Sequence, residues 1–202
     1  MYREYLQKVI GFDKWHLTSL KERYYALPMI NRLNELIRNG KISSGVIIEI
    51  GCGLGDIISA IQWKERIGYD IDKKAIITAR ILHPCTSFRV GTFDDIRGKK
   101  ISVMIALNFM HRIKYEECYK YFRNLLNCNE IDYVIVDAVQ SPPYQYAHDY
   151  KVMFAKLGYV LEYKSRGYVA SGRSNRKILY FRNVKSLPQK YKKESGREIH
   201  TK

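Results

Sequence analysis

Between Val46 and Ile61 the chain reads VIIEIGCGLGDIISAI, with Gly51, Gly53 and Gly55 at alternate positions between two apolar runs. Glycine inside an element costs roughly 0.5–1 kcal/mol relative to alanine, so such a triplet implies that something approaches the main chain closely. A bare turn that follows a strand and opens a helix can cradle a nucleotide-like ligand at the helix N-terminus. Dinucleotide sites favour G-x-G-x-x-G, which requires glycine at position 56; that residue is Asp56, and the third glycine comes one place early as Gly55. Other chemistries lack their residues. Cys52, Cys85, Cys118 and Cys128 show no CxxC spacing, His83 and Cys85 stand alone, and neither HExxH nor GxSxG occurs, so no metal site and no serine hydrolase is expected.

The turn needs a strand before it and a helix after it, and the chain supplies both repeatedly. GVIIEI, RIGYDI, SFRV, ISVMIAL, DYVIVDAV, YVLEY and KILYFRN read as strands, while GDIISAIQW, KKAIITARIL, YEECYKYFRNLL and QYAHDYKVMFAKLG have helical spacing. Strand and helix alternating in this order predict right-handed crossovers and a mainly parallel sheet. Residues 1–42 read as a helical cap: Leu6, Val9 and Ile10, then Met29, Ile30, Leu33, Leu36 and Ile37, fall on one face, with Pro28 at a start and Gly40 at a stop. Residues 43–184 form the main domain, and 185–202 lack an apolar stripe and read as a basic flexible tail.

The bulk properties narrow the partners. At 202 residues the chain has room for one full core plus a small appendage, and 46% hydrophobic with 27% charged residues is an ordinary globular composition. The apolar runs fall far short of a membrane span, Met1–Ile10 lacks the pattern of a signal peptide, and the sparse cysteines suit a reducing cytoplasm. Net charge is +15. Six Lys/Arg against Glu194 and Glu198 after residue 184 account for +4, which leaves a body of +11 and suggests an anionic partner: nucleic acid, an acidic metabolite or an acidic surface.

With Glu49, Gly51, Gly53 and Gly55 arranged as E-x-G-x-G-x-G, the chain resembles the class I S-adenosylmethionine-dependent methyltransferases over about residues 42–183. The resemblance implies S-adenosylmethionine as cofactor, held by those residues and by Asp70, which ends the second strand in RIGYDID and would accept from the ribose hydroxyls. One helix plus one strand returns the chain beside the glycine turn, which is why that spacing works. It also implies that Thr92–Asp95 lie beside the adenine, with Asp94 or Asp95 accepting from its amine, and that Asn108 opens the cofactor-facing turn of NFMHRI. Thr92 departs from the pattern, since many members carry an acidic residue there. The fold expected is a three-layer, Rossmann-like α/β sandwich with a seven-stranded, mainly parallel sheet, its last strand antiparallel, under an N-terminal helical cap.

In such a sheet the acceptor sits outside the C-terminal strand ends, at loops 108–112, 140–149 and 165–177. His111 and His148 are the candidate bases, with His148, followed by Asp149, the better placed. SPPY, Ser141–Tyr144, resembles the motif with which amino-methyltransferases hold a planar base, but it follows the fifth strand rather than the fourth. That position suits a proline turn stiffening the substrate loop, with Tyr144 and Tyr146 lining the pocket. RGYVASGRSNRK carries Arg166, Arg173 and Arg176, either as a clamp for phosphate or carboxylate or as a solvated hairpin tip. The reading is methyl transfer to a small anionic or glycosyl acceptor; the alternatives are an RNA or DNA methyltransferase using the basic surface and a non-catalytic cofactor-binding subunit.

Overall fold

A computed structural model describes residues 2–168 and 175–186. Seven strands, β1 (Val46–Ile50), β2 (Arg66–Asp70), β3 (Ser87–Val90), β4 (Lys100–Ala106), β5 (Glu130–Ala138), β6 (Tyr159–Lys164) and β7 (Lys177–Asn183), form one sheet in the order β3-β2-β1-β4-β5-β7-β6. The pairs β1/β2, β1/β4, β2/β3 and β4/β5 are parallel, and β7 runs antiparallel between β5 and β6. This is the expected Rossmann-like sandwich, with the last strand reversed. The central strands are largely apolar because helices cover both faces, with Glu49 on β1 and Asp137 on β5 as buried exceptions.

Alternation along each strand divides the core in two. Ile47, Val103 and Ile135 pack with Met29 and Leu33 of α2 (Ala26–Arg38), Ile58 of α3 (Asp56–Ala60) and Ile76 of α4 (Lys73–Leu82). Their neighbours Ile48, Met104 and Val134 face the other way, onto Phe122 of α5 (Tyr115–Cys128) and Phe154 of α6 (Tyr150–Lys156). Among the described residues no helix is long and apolar enough to cross a membrane.

Three local expectations shift. The N-terminal region is helical only in parts: α1 (Tyr2–Ile10) and α2 are separated by a segment that holds a 3-10 turn at Lys14–Leu17. On α1, Leu6 is buried with Phe12, Leu54 and Ala75, but Val9 is 65% exposed, so only part of the apolar spacing serves the core. Helix α2 starts at Ala26, ahead of Pro28, which falls in the first turn where a missing N–H costs little. The helix expected from Gln145 begins only at Tyr150, because the Asp149 carboxylate accepts from the Val152 N–H at 3.1 Å and caps it there.

Phe122 is fully buried, with its ring 5.4 Å from Phe93 and 4.9 Å from Phe154. Phe122→Ala is expected to lower unfolding free energy by about 3–5 kcal/mol, read from urea denaturation, whereas Val9→Ala changes it by less than about 0.5 kcal/mol.

Candidate active site at the C-terminal edge of the sheet

The turn after β1 has all three glycines in left-handed backbone, with φ of 69°, 54° and 79° at Gly51, Gly53 and Gly55. Side chains press on each. A Cβ on Gly51 would lie 2.6 Å from the Phe109 ring, one on Gly53 2.6 Å from His16 Nδ1, and one on Gly55 2.3 Å from the Phe88 ring. The close approach that the glycine pattern predicts is therefore made in part by the protein itself.

Two buried carboxyl groups hold the turn's main chain. Asp70, at the end of β2, accepts from the Gly53 N–H at 2.8 Å and the Asp72 N–H at 2.9 Å. Glu49, on β1 and 3% exposed, accepts from the Ile58 N–H at 3.0 Å in the first turn of α3. Burial pushes the Glu49 carboxyl up to about 8, against the opposing pull of the Arg23 charge and the Ile58 N–H. Asp56 goes the other way. Burial alone would raise it, but His83 at 3.2 Å, the paired Arg3 guanidinium and the Arg23 charge hold it well below the usual carboxylate range.

Above this turn lies a cavity of about 520 Å³, within the range of cofactor sites. Glu49, Gly51, Gly53, Asp70, Asp94 and Asn108 line it, while Gly55 sits behind as the N-cap of α3. Of the two acidic residues after β3, Asp95 is engaged: its carboxylate accepts from the Thr92 N–H at 2.7 Å and the Thr92 hydroxyl at 3.2 Å. Thr92 thus caps the short turn that presents Asp94. The segment between α1 and α2 closes the cavity with Trp15, His16, Arg23 and Tyr25.

A second cavity of about 450 Å³ shares Trp15, Arg23, Tyr25, Asn108, Phe109 and Arg112 with the first, and continues to His111, Pro143, Tyr144 and Arg176. The His111 ring lies 4.5 Å from that of Tyr144, and its Nδ1 is buried without a partner. Burial, with the charges of Arg176, Arg112 and His148, pushes His111 down to about 4. His148 lies elsewhere, lining a different hollow with Lys151 and Lys164, and its Nε2 donates to the Met110 carbonyl at 2.9 Å. Tyr146 stacks on His148, at 6.4 Å between ring centres, and lines neither of the two cavities.

The arginines of the last loop also separate. Arg166 is exposed and lines neither cavity, and Arg173 lies outside the described residues. Arg176, 2% exposed, is ion-paired with the buried Asp137 of β5; one of its amino groups donates to Asn108 Oδ1 at 3.0 Å and to the Tyr144 hydroxyl at 2.9 Å. Asp137 in turn accepts from the Asn108 N–H at 2.9 Å, which holds Asn108 in left-handed backbone at φ 67°. Trp15, His16, Arg23, Tyr25 and Asp137 were not legible as site residues; an aspartate embedded in the apolar strand DYVIVDAV was the one available signal.

No protein-family model and no curated protein matches the chain. Solved structures do. A magnesium protoporphyrin IX methyltransferase from Synechocystis with bound S-adenosylmethionine matches at TM-score 0.64 and 17% identity, over 77% of this chain and 78% of that one. A putative RNA methyltransferase from Pyrococcus horikoshii matches at TM-score 0.58 and 13% identity, over 91% and 96%. A TehB-like S-adenosylmethionine-dependent methyltransferase from Corynebacterium glutamicum matches at TM-score 0.56 and 15% identity, over 80% and 99%. At these identities the likeness is one of fold, and the fold is that of the S-adenosylmethionine-dependent methyltransferases.

Two stability experiments follow from the site. Arg176→Met leaves the Asp137 charge buried and unpaired, so it is expected to cost about 3–5 kcal/mol in urea denaturation, and adding Asp137→Asn recovers part of that loss. For Glu49, the folded value of about 8 lies above the ordinary 4.5, so the native state keeps a proton that the unfolded chain releases. Its contribution is whole below about pH 4.5 and lost as pH rises toward about 8. Glu49→Gln removes that slope: relative to wild type the variant gains stability steadily across this window, whereas parallel curves would contradict the raised value.

Proposed function

We propose that the protein is a methyltransferase that uses S-adenosylmethionine and acts on a small acceptor. The observation that carries this reading is the pair of adjoining cavities: one floored by the glycine turn and Asp70, the other lined by His111 and Tyr144, with Asn108 and Phe109 on their shared wall. The donor set suits the cofactor. Left-handed glycines leave the main chain bare for its amino-acid part, Asp70 stands where the ribose hydroxyls would be accepted, and Asp94 where the adenine amine would be. Ile71, 75% exposed just after β2, and Phe93 offer apolar faces to the adenine ring. When bound, the cofactor supplies an electrophilic methyl group on a positively charged sulfur.

The protein's own part is to bind the acceptor in line and exclude water, a contribution that can reach about 7–11 kcal/mol. Small size is favoured because the acceptor cavity is walled by the cap residues Trp15, Tyr24 and Tyr25. His111 is the histidine in contact with that cavity. Held near 4, it is neutral at physiological pH and serves as a hydrogen-bonding group more readily than as a strong base.

Calorimetric titration with S-adenosylmethionine tests the reading. Asp70→Ala is expected to weaken binding by about tenfold to a hundredfold, since both a charged acceptor and the clasp on the Gly53 N–H are lost. Unchanged affinity in that variant, or no binding to the wild type, would overturn it.

A further inference from the structure

The second cavity is unusual in what surrounds it. Its walls are aromatic on several sides: Trp15 and Tyr24 come from the cap, Phe109 from the turn after β4, and Tyr144 from the loop after β5. Tyr24 and Tyr25 meet edge to face at 5.8 Å, and Tyr144 packs against the His111 ring. Flat rings at such angles leave slots suited to another flat ring, which gains beyond its buried area from edge and face contacts.

The charges that face this space are unequal. Arg176 is matched by Asp137, and Glu22 stands at the exposed rim, where its carboxylate accepts from the Ser19 N–H at 2.6 Å. Arg23 lies 3.7 Å from Asp56, a carboxylate that Arg3 already pairs with. Arg112 is exposed and opens onto both cavities; together with Arg23, which shares one carboxylate with Arg3, it outweighs Glu22 and, among the described residues, leaves the mouth positive. Glu49, on the neighbouring wall, holds its proton through burial and so does not cancel that charge near pH 7, while a neutral His111 does not add to it. Burial raises the Tyr25 hydroxyl, so it adds no charge to this space.

One polar group is oriented by chemistry alone. Arginine only donates, so the atom that Arg176 meets on Asn108 is the carbonyl oxygen Oδ1. That leaves the Asn108 amide nitrogen, with two N–H donors, on the wall common to both cavities. It offers hydrogen bonds to an acceptor oxygen at the junction.

From the aromatic walls, the positive mouth and the oriented amide, we infer that the second cavity takes a planar aromatic ring bearing an ionised oxygen, either a phenolate or an aromatic carboxylate. The inference rests on the methyltransferase reading for what happens next. A lone pair on the acceptor oxygen forms the new carbon–oxygen bond as the methyl–sulfur bond breaks, and the breaking pair stays on sulfur. The acceptor's proton has already passed to water, so the negative oxygen and positive sulfur are neutralised together. No protein base is required, which agrees with a neutral His111 and with His148 bound to a backbone carbonyl elsewhere.

The test is binding rather than turnover. The protein, with S-adenosylhomocysteine present, is titrated calorimetrically with benzoate, cyclohexanecarboxylate and para-nitrophenol, the last followed by the visible absorbance of its ionised form. Benzoate and para-nitrophenolate are expected to bind about tenfold or more tightly than the saturated acid, and the pH of half-ionisation of para-nitrophenol should fall on binding. Arg112→Gln should weaken both aromatic anions about fivefold. Tyr24, half-buried, touches the second cavity and not the first, so Tyr24→Leu should erase the preference for the aromatic acid while S-adenosylhomocysteine affinity stays within about twofold. Benzoate binding alone would assign the carboxylate, and para-nitrophenolate alone the phenolate. Equal binding of saturated and aromatic acids, a rise in the half-ionisation pH, or displacement of para-nitrophenolate by short RNA with steep salt dependence would overturn the inference. Each of those results leaves cofactor binding untouched. Aromatic-anion binding by a protein that fails to bind S-adenosylhomocysteine would instead keep the cavity assignment and remove the methyl-transfer reading.

Discussion

The site depends on how the buried backbone between β1 and α3 is satisfied. A turn with three left-handed residues directs its N–H groups away from the regular ladders of strand and helix, and a buried N–H without a partner costs about 1–3 kcal/mol. Here Asp70 takes the Gly53 N–H from the neighbouring strand, and Glu49 takes the Ile58 N–H from below. Both acceptors sit at fixed heights on parallel strands, so sheet register sets the turn's conformation. Because the sheet fixes the turn, the cavity above it is built before any ligand arrives.

The two carboxyls on either side of that turn show how strongly local surroundings govern charge. Glu49 and Asp56 are seven positions apart and both nearly fully buried. Asp56 is surrounded by Arg3, Arg23 and His83 and stays ionised; Glu49 has one backbone N–H and a more distant arginine, and keeps its proton. The consequence is a division of labour. Asp56 ties α1 and the segment containing Arg23 to the first turn of α3, a long-range contact from residue 3 to residue 56. Glu49 adds no negative charge to the wall of the first cavity near pH 7.

The strands, the helices between them and the glycine turn were legible because each leaves a local mark: apolar runs of strand length, helical spacing between them, and glycines where side chains do not fit. The reversed last strand and the choice of Asp70 came from the family resemblance, since neither leaves such a mark. The residues that close the site were not. His16 presses on Gly53 and Arg176 reaches Asn108, 68 positions away, and neither contact follows from spacing, since each is created by cap and loop folding back over the strand ends. Arg176 reads from the sequence as part of an anion clamp or of a solvated hairpin tip; the structure instead buries it against Asp137, a buried carboxylate within the apolar run of β5. His148 reads as the better-placed base because Asp149 follows it, but the folded loops bring His111 to the second cavity and leave His148 bracing a backbone carbonyl.

The cap explains why so basic a chain need not bind a polyanion at its site. Of the cationic groups near the cavities, Arg3 and Arg23 face Asp56, and Arg176 faces Asp137, so most of the positive charge at the strand ends is spent on holding loops together. Arg112 remains at the mouth, exposed and shared by both cavities. Among the described residues the mouth thus carries a small positive excess rather than a row of cations, which suits one negative charge on a flat body better than a phosphate backbone. The excess charge of the body therefore belongs mostly to the outer surface, and the chemistry at the strand ends is set by which few charges the fold leaves unpaired.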